Sequence, residues 1–164
     1  MENAPTSPPP AAAILAAAGV AYNVHQHVEI RTGADIRTRT GFTEENIQNS
    51  LKTVAFTVGL DRLVLAVVPG PARIRYGRLA SVLGVSRSAL KSADEVALQR
   101  LNMERGGVGP VCDAPDVTVV FDAMVPQMGT VLCGSGQPHC TVEAKASDIV
   151  RIPSNAMVAD ITSP

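Results

Sequence analysis

LKTVAFTVGLDRLVLAVVPG, residues 51–70, decides the fold. LKTVAFTVG reads as a strand, LDR as a turn, and LVLAVV as a short β-branched run suited to a strand covered on both faces. The connection over residues 59–62 is short enough for a hairpin. Side chains alternate along an extended chain. Lys52 therefore shares a face with Val54, Phe56 and Val58, while Leu51, Thr53, Ala55 and Thr57 take the other. An ammonium among apolar neighbours is costly unless something compensates it. The ordinary explanation is a lysine whose stem lies on apolar surface and whose head reaches water.

Outward from the hairpin, Pro10 opens a helix that Gly19 ends. YNVHQHV (22–28) alternates as a half-buried strand, TGADIRTRTG (32–41) reads as a short helix, and Thr43 caps another running to about Ser50. Residues 74–85 form a helix stopped by Gly84, and in SADEVALQRLN (92–102) Ser92 and Glu95 have the capping-box spacing. VTVVFD (117–122) and GTVLCG (129–134) are strands, CTVEAKA (140–146) alternates with Cys140, Val142, Ala144 and Ala146 inward, and SDIVRI (147–152) is a turn or short helix. The class is α+β, or mixed α/β, with a central mostly antiparallel or mixed sheet surrounded by short helices. One domain is expected over residues 10–160, after a disordered Pro-rich start at 1–9.

With 46% apolar residues the chain of 164 can bury a real core, built mostly from Val, Ala and Leu because only 3% is aromatic. So few rings argue against a stacking platform for single-stranded nucleic acid. Net charge is −1, yet residues 62–93 carry six basic residues and no acid, which suits a local phosphate-facing patch or a solvated helix surface. Cys112, Cys133 and Cys140 form no CxxC pair and no disulfide framework, so no metal or cofactor is expected, and the setting reads as reducing and cytoplasmic. No membrane span or signal peptide is expected from the apolar run at 11–18.

Three features stand out: Lys52, GGVGP (106–110) and GSGQPH (134–139). Glycine lets a ligand approach backbone N–H groups, which can hold a developing oxyanion. Either bend alone reads more simply as a tight turn, and neither matches a phosphate-binding consensus. His25 and His27 share a strand face, more simply an exposed one than a metal site. His139 lies in the second bend, where a polar group can meet a ligand. Ser135 lacks the nucleophile-elbow pattern, so a generic esterase is disfavoured.

The ordered series AAAILAAAGVAYNVHQHV, SLKTVAF, LVLAVVPG, GRLASVLGVSRSALKSADEV, GGVGPV and GSGQPHCTVEAKASDIV resembles the YbaK-type family over residues 11–152. These are aminoacyl-tRNA deacylases that also occur as an editing domain in prolyl-tRNA synthetases. The resemblance implies trans-editing: hydrolysis of the ester on a mischarged tRNA carrying a small amino acid such as Ala, Cys or Ser. The alternative is a non-catalytic module that binds aminoacyl-tRNA or a synthetase. The family's lysine falls on Lys52, which with Gly107 and Gly109 is expected to be catalytic. Gly106, Pro110, Gly134, Ser135, Gly136 and His139 are expected to bind substrate, and Arg73, Arg75, Arg78, Arg87 and Lys91 to hold tRNA. The apolar face is expected to keep Lys52 dry, in one pocket with both bends. Gly109 stands where many relatives carry Ser, Cys112 where Gly often follows and His139 where Gly is common in one branch, departures that bear on which amino acid is recognised.

Overall fold

The computed structural model describes residues 8–30 and 33–163. The hairpin forms as read. Strand β2 (Leu51–Val58) runs antiparallel to β3 (Arg62–Pro69), with Ala55 opposite Leu65 and Phe56 opposite Val64. Around it stand α1 (Pro10–Ala17), β1 (Tyr22–Gln26), α2 (Gly33–Arg39), α3 (Glu44–Gln48), α4 (Tyr76–Leu83), β4 (Leu90–Ser92) and α5 (Glu95–Arg100). The chain continues through β5 (Val117–Asp122), β6 (Thr130–Gly134), β7 (Cys140–Lys145), α6 (Ala146–Arg151) and β8 (Ala156–Ala159). The class is the expected mixture of sheet and short helices.

The strands divide into two sheets, however. One is antiparallel in the order β1-β7-β6; the other is mixed in the order β4-β2-β3-β5-β8. In the larger sheet β5 runs parallel to both β3 and β8. The Leu132 N–H, donating to the Asn49 carbonyl at 3.1 Å, joins β6 of the smaller sheet to the approach to β2.

The pleat of the hairpin sorts the core into two layers. Leu51, Ala55, Leu65 and Val67 face Leu15 of α1, Leu98 of α5, Ile149 of α6 and the inner residues Val131 and Val142 of the smaller sheet. Phe56, Val58, Val64 and Val68 face Leu79 and Leu83 of α4, with Ile74 and Ile161 beside them. Strand β3 contributes to both layers, which explains its unbroken apolar run. Fully burying each such side chain is favourable by about 1.5–3 kcal/mol, so the two layers together hold the centre of the larger sheet.

Three local readings are corrected. The cap of α5 is Asp94, whose carboxylate accepts the Ala97 N–H at 2.9 Å, not Ser92. Ser92 ends β4 opposite Phe56, and the Ala93 N–H then donates to the Ala55 carbonyl, so sheet pairing holds the residue that local spacing offers as a cap. Helix α3 stops at Gln48, although its Thr43 cap forms with a full box to Asn46. Pro9 is already buried as the cap residue of α1; the rest of the start expected to be disordered, residues 1–7, lies outside the described residues. Thr32, where the helix of residues 32–41 was expected to begin, lies outside them too. Among the described residues no helix is long and apolar enough to cross a membrane.

Candidate functional site

Lys52 is the second residue of β2, on the face of the second core layer. Cover thins along that face toward the start of the strand: Val58 and Phe56 are buried, Val54 is half-buried and Lys52 is exposed. The expectation of a dry ammonium is thereby corrected, because α4 covers the sheet only from Val54 onward. The Lys52 Nζ donates to the Ala72 carbonyl in the turn after β3. Partial burial, and then the neighbouring Arg73 guanidinium, pull its pKa below the ordinary lysine value. Both causes disfavour the charged form, so this ammonium stands to gain from an anion.

A cavity of about 970 Å³ opens beside it, lined by Lys52, Arg73, Arg75, Arg78, Arg87, Tyr76 and Ser163. Its walls follow from local sequence. In ARIRY the buried Ile74 anchors the turn and leaves Arg73 and Arg75 exposed on either side. The Arg75 N–H donates to the Ile161 carbonyl at 2.8 Å, which ties the turn to the C-terminal segment. Arg78, in the first turn of α4, lies 3.6 Å from the Asp160 carboxylate. Tyr76 meets Phe56 edge-on at 5.9 Å, and the Arg87 guanidinium carbon stands 5.9 Å from its ring centroid. Four of the five basic residues expected to hold RNA thus share the cavity of Lys52. Lys91 does not, because it lies on β4 opposite Thr57, a residue of the other face.

The two glycine bends come together on that other face. Val108 and Val111, which flank Gly109, pack into the first core layer. A Cβ on Gly109 would stand 2.0 Å from the Gly134 carbonyl oxygen, and one on Gly107 2.4 Å from the Gln137 backbone carbon. Glycine is required here by backbone packed on backbone. The Gly107 N–H donates to the Glu104 carbonyl at 2.9 Å, and the Gly136 N–H to the Gly107 carbonyl at 2.7 Å. Gly109 makes no backbone hydrogen bond from its N–H among the described residues. Gly106 packs against the Ile30 carbonyl and the Pro138 ring, and Pro110 is buried. Ser135 is buried, and its hydroxyl closes the second bend on the carbonyls of Cys140 at 2.7 Å and Gln137 at 3.0 Å. His139 is exposed, and its carbonyl accepts the His27 N–H at 2.9 Å. The expectation of one pocket shared by Lys52 and both bends is corrected: the cavity of Lys52 contains no residue of either bend, because the residues around Gly109 pack into the core layer on the opposite face of β2.

Other expected players are engaged in structure. His25 bonds the Glu143 carboxylate at 2.9 Å and His27 the Thr141 hydroxyl at 2.8 Å, with Phe42 edge-on to both rings. Burial pushes the Cys112 and Cys140 thiols up and that of Cys133 up to about 12, so none is a ready nucleophile. Sequence reasoning missed Tyr76 and Ser163. Tyr76 had a signal, as the one ring within an acid-free basic span; Ser163 had none.

The aminoacyl-tRNA editing domain model matches residues 27–152. This chain belongs to that family. The editing domain is 35% identical over 77 residues to a proline–tRNA ligase of Desulfitobacterium hafniense, a stretch that is 47% of this chain and 13% of the ligase. Its fold is that of a candidate trans-editing enzyme for prolyl-tRNA synthetase, at 21% identity and a TM-score of 0.67, with 96% of this chain and all of the other covered (100%). It also matches a protein from work on epitope backbone grafting onto scaffold proteins, at 22% identity and a TM-score of 0.73, covering 94% of this chain and 95% of the other. The matched family segment takes in Lys52, the arginines of the cavity and both bends of the editing domain.

Proposed function

We propose that this editing domain is a trans-acting deacylase that removes a small amino acid, such as Ala, Cys or Ser, from a mischarged tRNA. The observation that carries the reading is the shared cavity of Lys52 and four arginines, a cationic lining inside the family segment. It suits the sugar-phosphate chain at a tRNA end. In the reaction a water oxygen adds to the ester carbonyl carbon. The tetrahedral adduct collapses as the bond to the ribose oxygen breaks, and that oxygen takes a proton derived from the water. Lys52 holds a phosphate or the ribose of the tRNA end. It acts as a cation, the form that a phosphate partner favours. Gly109, whose N–H makes no backbone hydrogen bond among the described residues, is the bend residue suited to an oxyanion. The domain works in the cytoplasm and meets its RNA near an aminoacyl-tRNA synthetase.

One observation favours a second reading, a binding module that holds aminoacyl-tRNA without hydrolysing it: the Gly107 and Gly136 N–H groups are already bonded within the bends. A panel of mischarged tRNAs separates the two. Deacylation of at least one, lost in Lys52→Ala, supports the enzyme; retention of every ester by a protein that still binds the RNA leaves the module.

A further inference from the structure

We propose that the cationic cavity takes one unpaired nucleotide of a single-stranded RNA end, its base stacked on Tyr76 beneath Arg87 and its phosphates on Arg73, Arg75 and Lys52. This rests on the tRNA reading above and assigns a residue that no motif of the chain marked. Tyr76 is 41% exposed, an unusual state for a large ring in this protein. Phe56 buttresses it edge-on, which fixes the plane of the phenol. The Arg87 guanidinium carbon lies 5.9 Å from the ring centroid, so it must move outward to cover a base seated on the ring. Unpaired bases are commonly held in this way, between an aromatic ring and an arginine plane. The cavity, at about 970 Å³, is at the upper end of the range of roughly 300–1,000 Å³ typical for ligands. Asp160 lies 3.6 Å from Arg78, and the residues lining the cavity include Lys52, Arg73, Arg75, Arg78 and Arg87 with no acidic residue among them. A ring beside several phosphate-binding cations fits a nucleotide better than an acidic peptide, which has no flat π-face. One ring makes no extended platform, so the scarcity of aromatics restricts the site to about one base rather than excluding stacking.

The chain offers a direct test because it has two tyrosines and no tryptophan. In Tyr22→Phe protein, Tyr76 is the only tyrosine emitter. Titration with a short oligoribonucleotide ending in CCA should quench that emission saturably. Binding should weaken with salt, by a log–log slope of about −0.7 for each phosphate neutralised, and Arg73→Gln should make the slope shallower. With labelled RNA, Tyr76→Phe should keep affinity within about twofold because the ring face remains, while Tyr76→Ala should lose about tenfold or more. Saturable binding with no quenching overturns the proposal, as does no binding at low salt. Equal affinity for free AMP or CMP would make the cavity a free-nucleotide site and also overturn it. Deacylation is scored separately. Quenching without hydrolysis of any mischarged tRNA sinks the enzyme reading alone; hydrolysis without quenching sinks this inference alone.

Discussion

At the scale of single residues, Lys52 is governed by where cover on its sheet face ends. Its side chain is exposed and makes one hydrogen bond to the Ala72 carbonyl. Lys52→Ala should therefore abolish deacylation while shifting stability by no more than about 0.5 kcal/mol, the usual range for surface substitutions; turnover on mischarged tRNA and a urea melt check both halves. The depressed pKa gives a pH signature. Surroundings that disfavour the ammonium lower its pKa, and a bound phosphate favours the ammonium and raises it again. RNA affinity should then fall as pH rises through the Lys52 pKa, which lies below 10.5. Binding measured along an alkaline series should lose that step in Lys52→Met. The cysteines behave oppositely to a catalytic thiol: buried and held protonated, they should resist alkylation at mildly alkaline pH until the chain is unfolded.

Among the elements, the hairpin and the alternating strand at 140–145 were legible because their periodicity is local. Strands β4 and β8 were not, since each is short and exists through pairing with a distant partner, β2 and β5 respectively. The same cause misplaced the cap of α5, and two substitutions expose it. Asp94→Ala should cost about 1 kcal/mol through the lost bond to the Ala97 N–H, whereas Ser92→Ala should leave helix capping untouched. The bends were legible as glycine-rich turns and were expected together; they do meet, but away from the cavity of Lys52. Gly109→Ala should destabilise by about 1–3 kcal/mol, since its Cβ would meet the Gly134 carbonyl and backbone must move. Lys52 was legible as an anomaly. Which bends or cations shared its face was not, because alternation assigns a side chain to a face without saying what packs there.

Across the whole molecule, the C-terminal segment connects the sheet to the cationic cavity. Asp122, buried at the end of β5, accepts the Ile161 N–H at 3.0 Å and the Thr162 hydroxyl at 3.1 Å. The Ile161 carbonyl in turn accepts the Arg75 N–H at 2.8 Å. Asp122→Ala leaves buried donors without their acceptor and should cost about 1–3 kcal/mol. It should also weaken RNA binding, although Asp122 lies outside the cavity lining, because the turn bearing Arg73 and Arg75 loses its tether. Calorimetry and RNA titration on the same preparation test both effects; unchanged affinity in a folded Asp122→Ala protein would show that the turn holds its shape unaided.

Because Ser163 lines that cavity, anything fused at the C-terminus is tethered next to the lining. A purification handle of histidines or acidic residues fused there would compete with the nucleic acid and mimic weak affinity. Fusions at the opposite terminus are the safer choice for quantitative work.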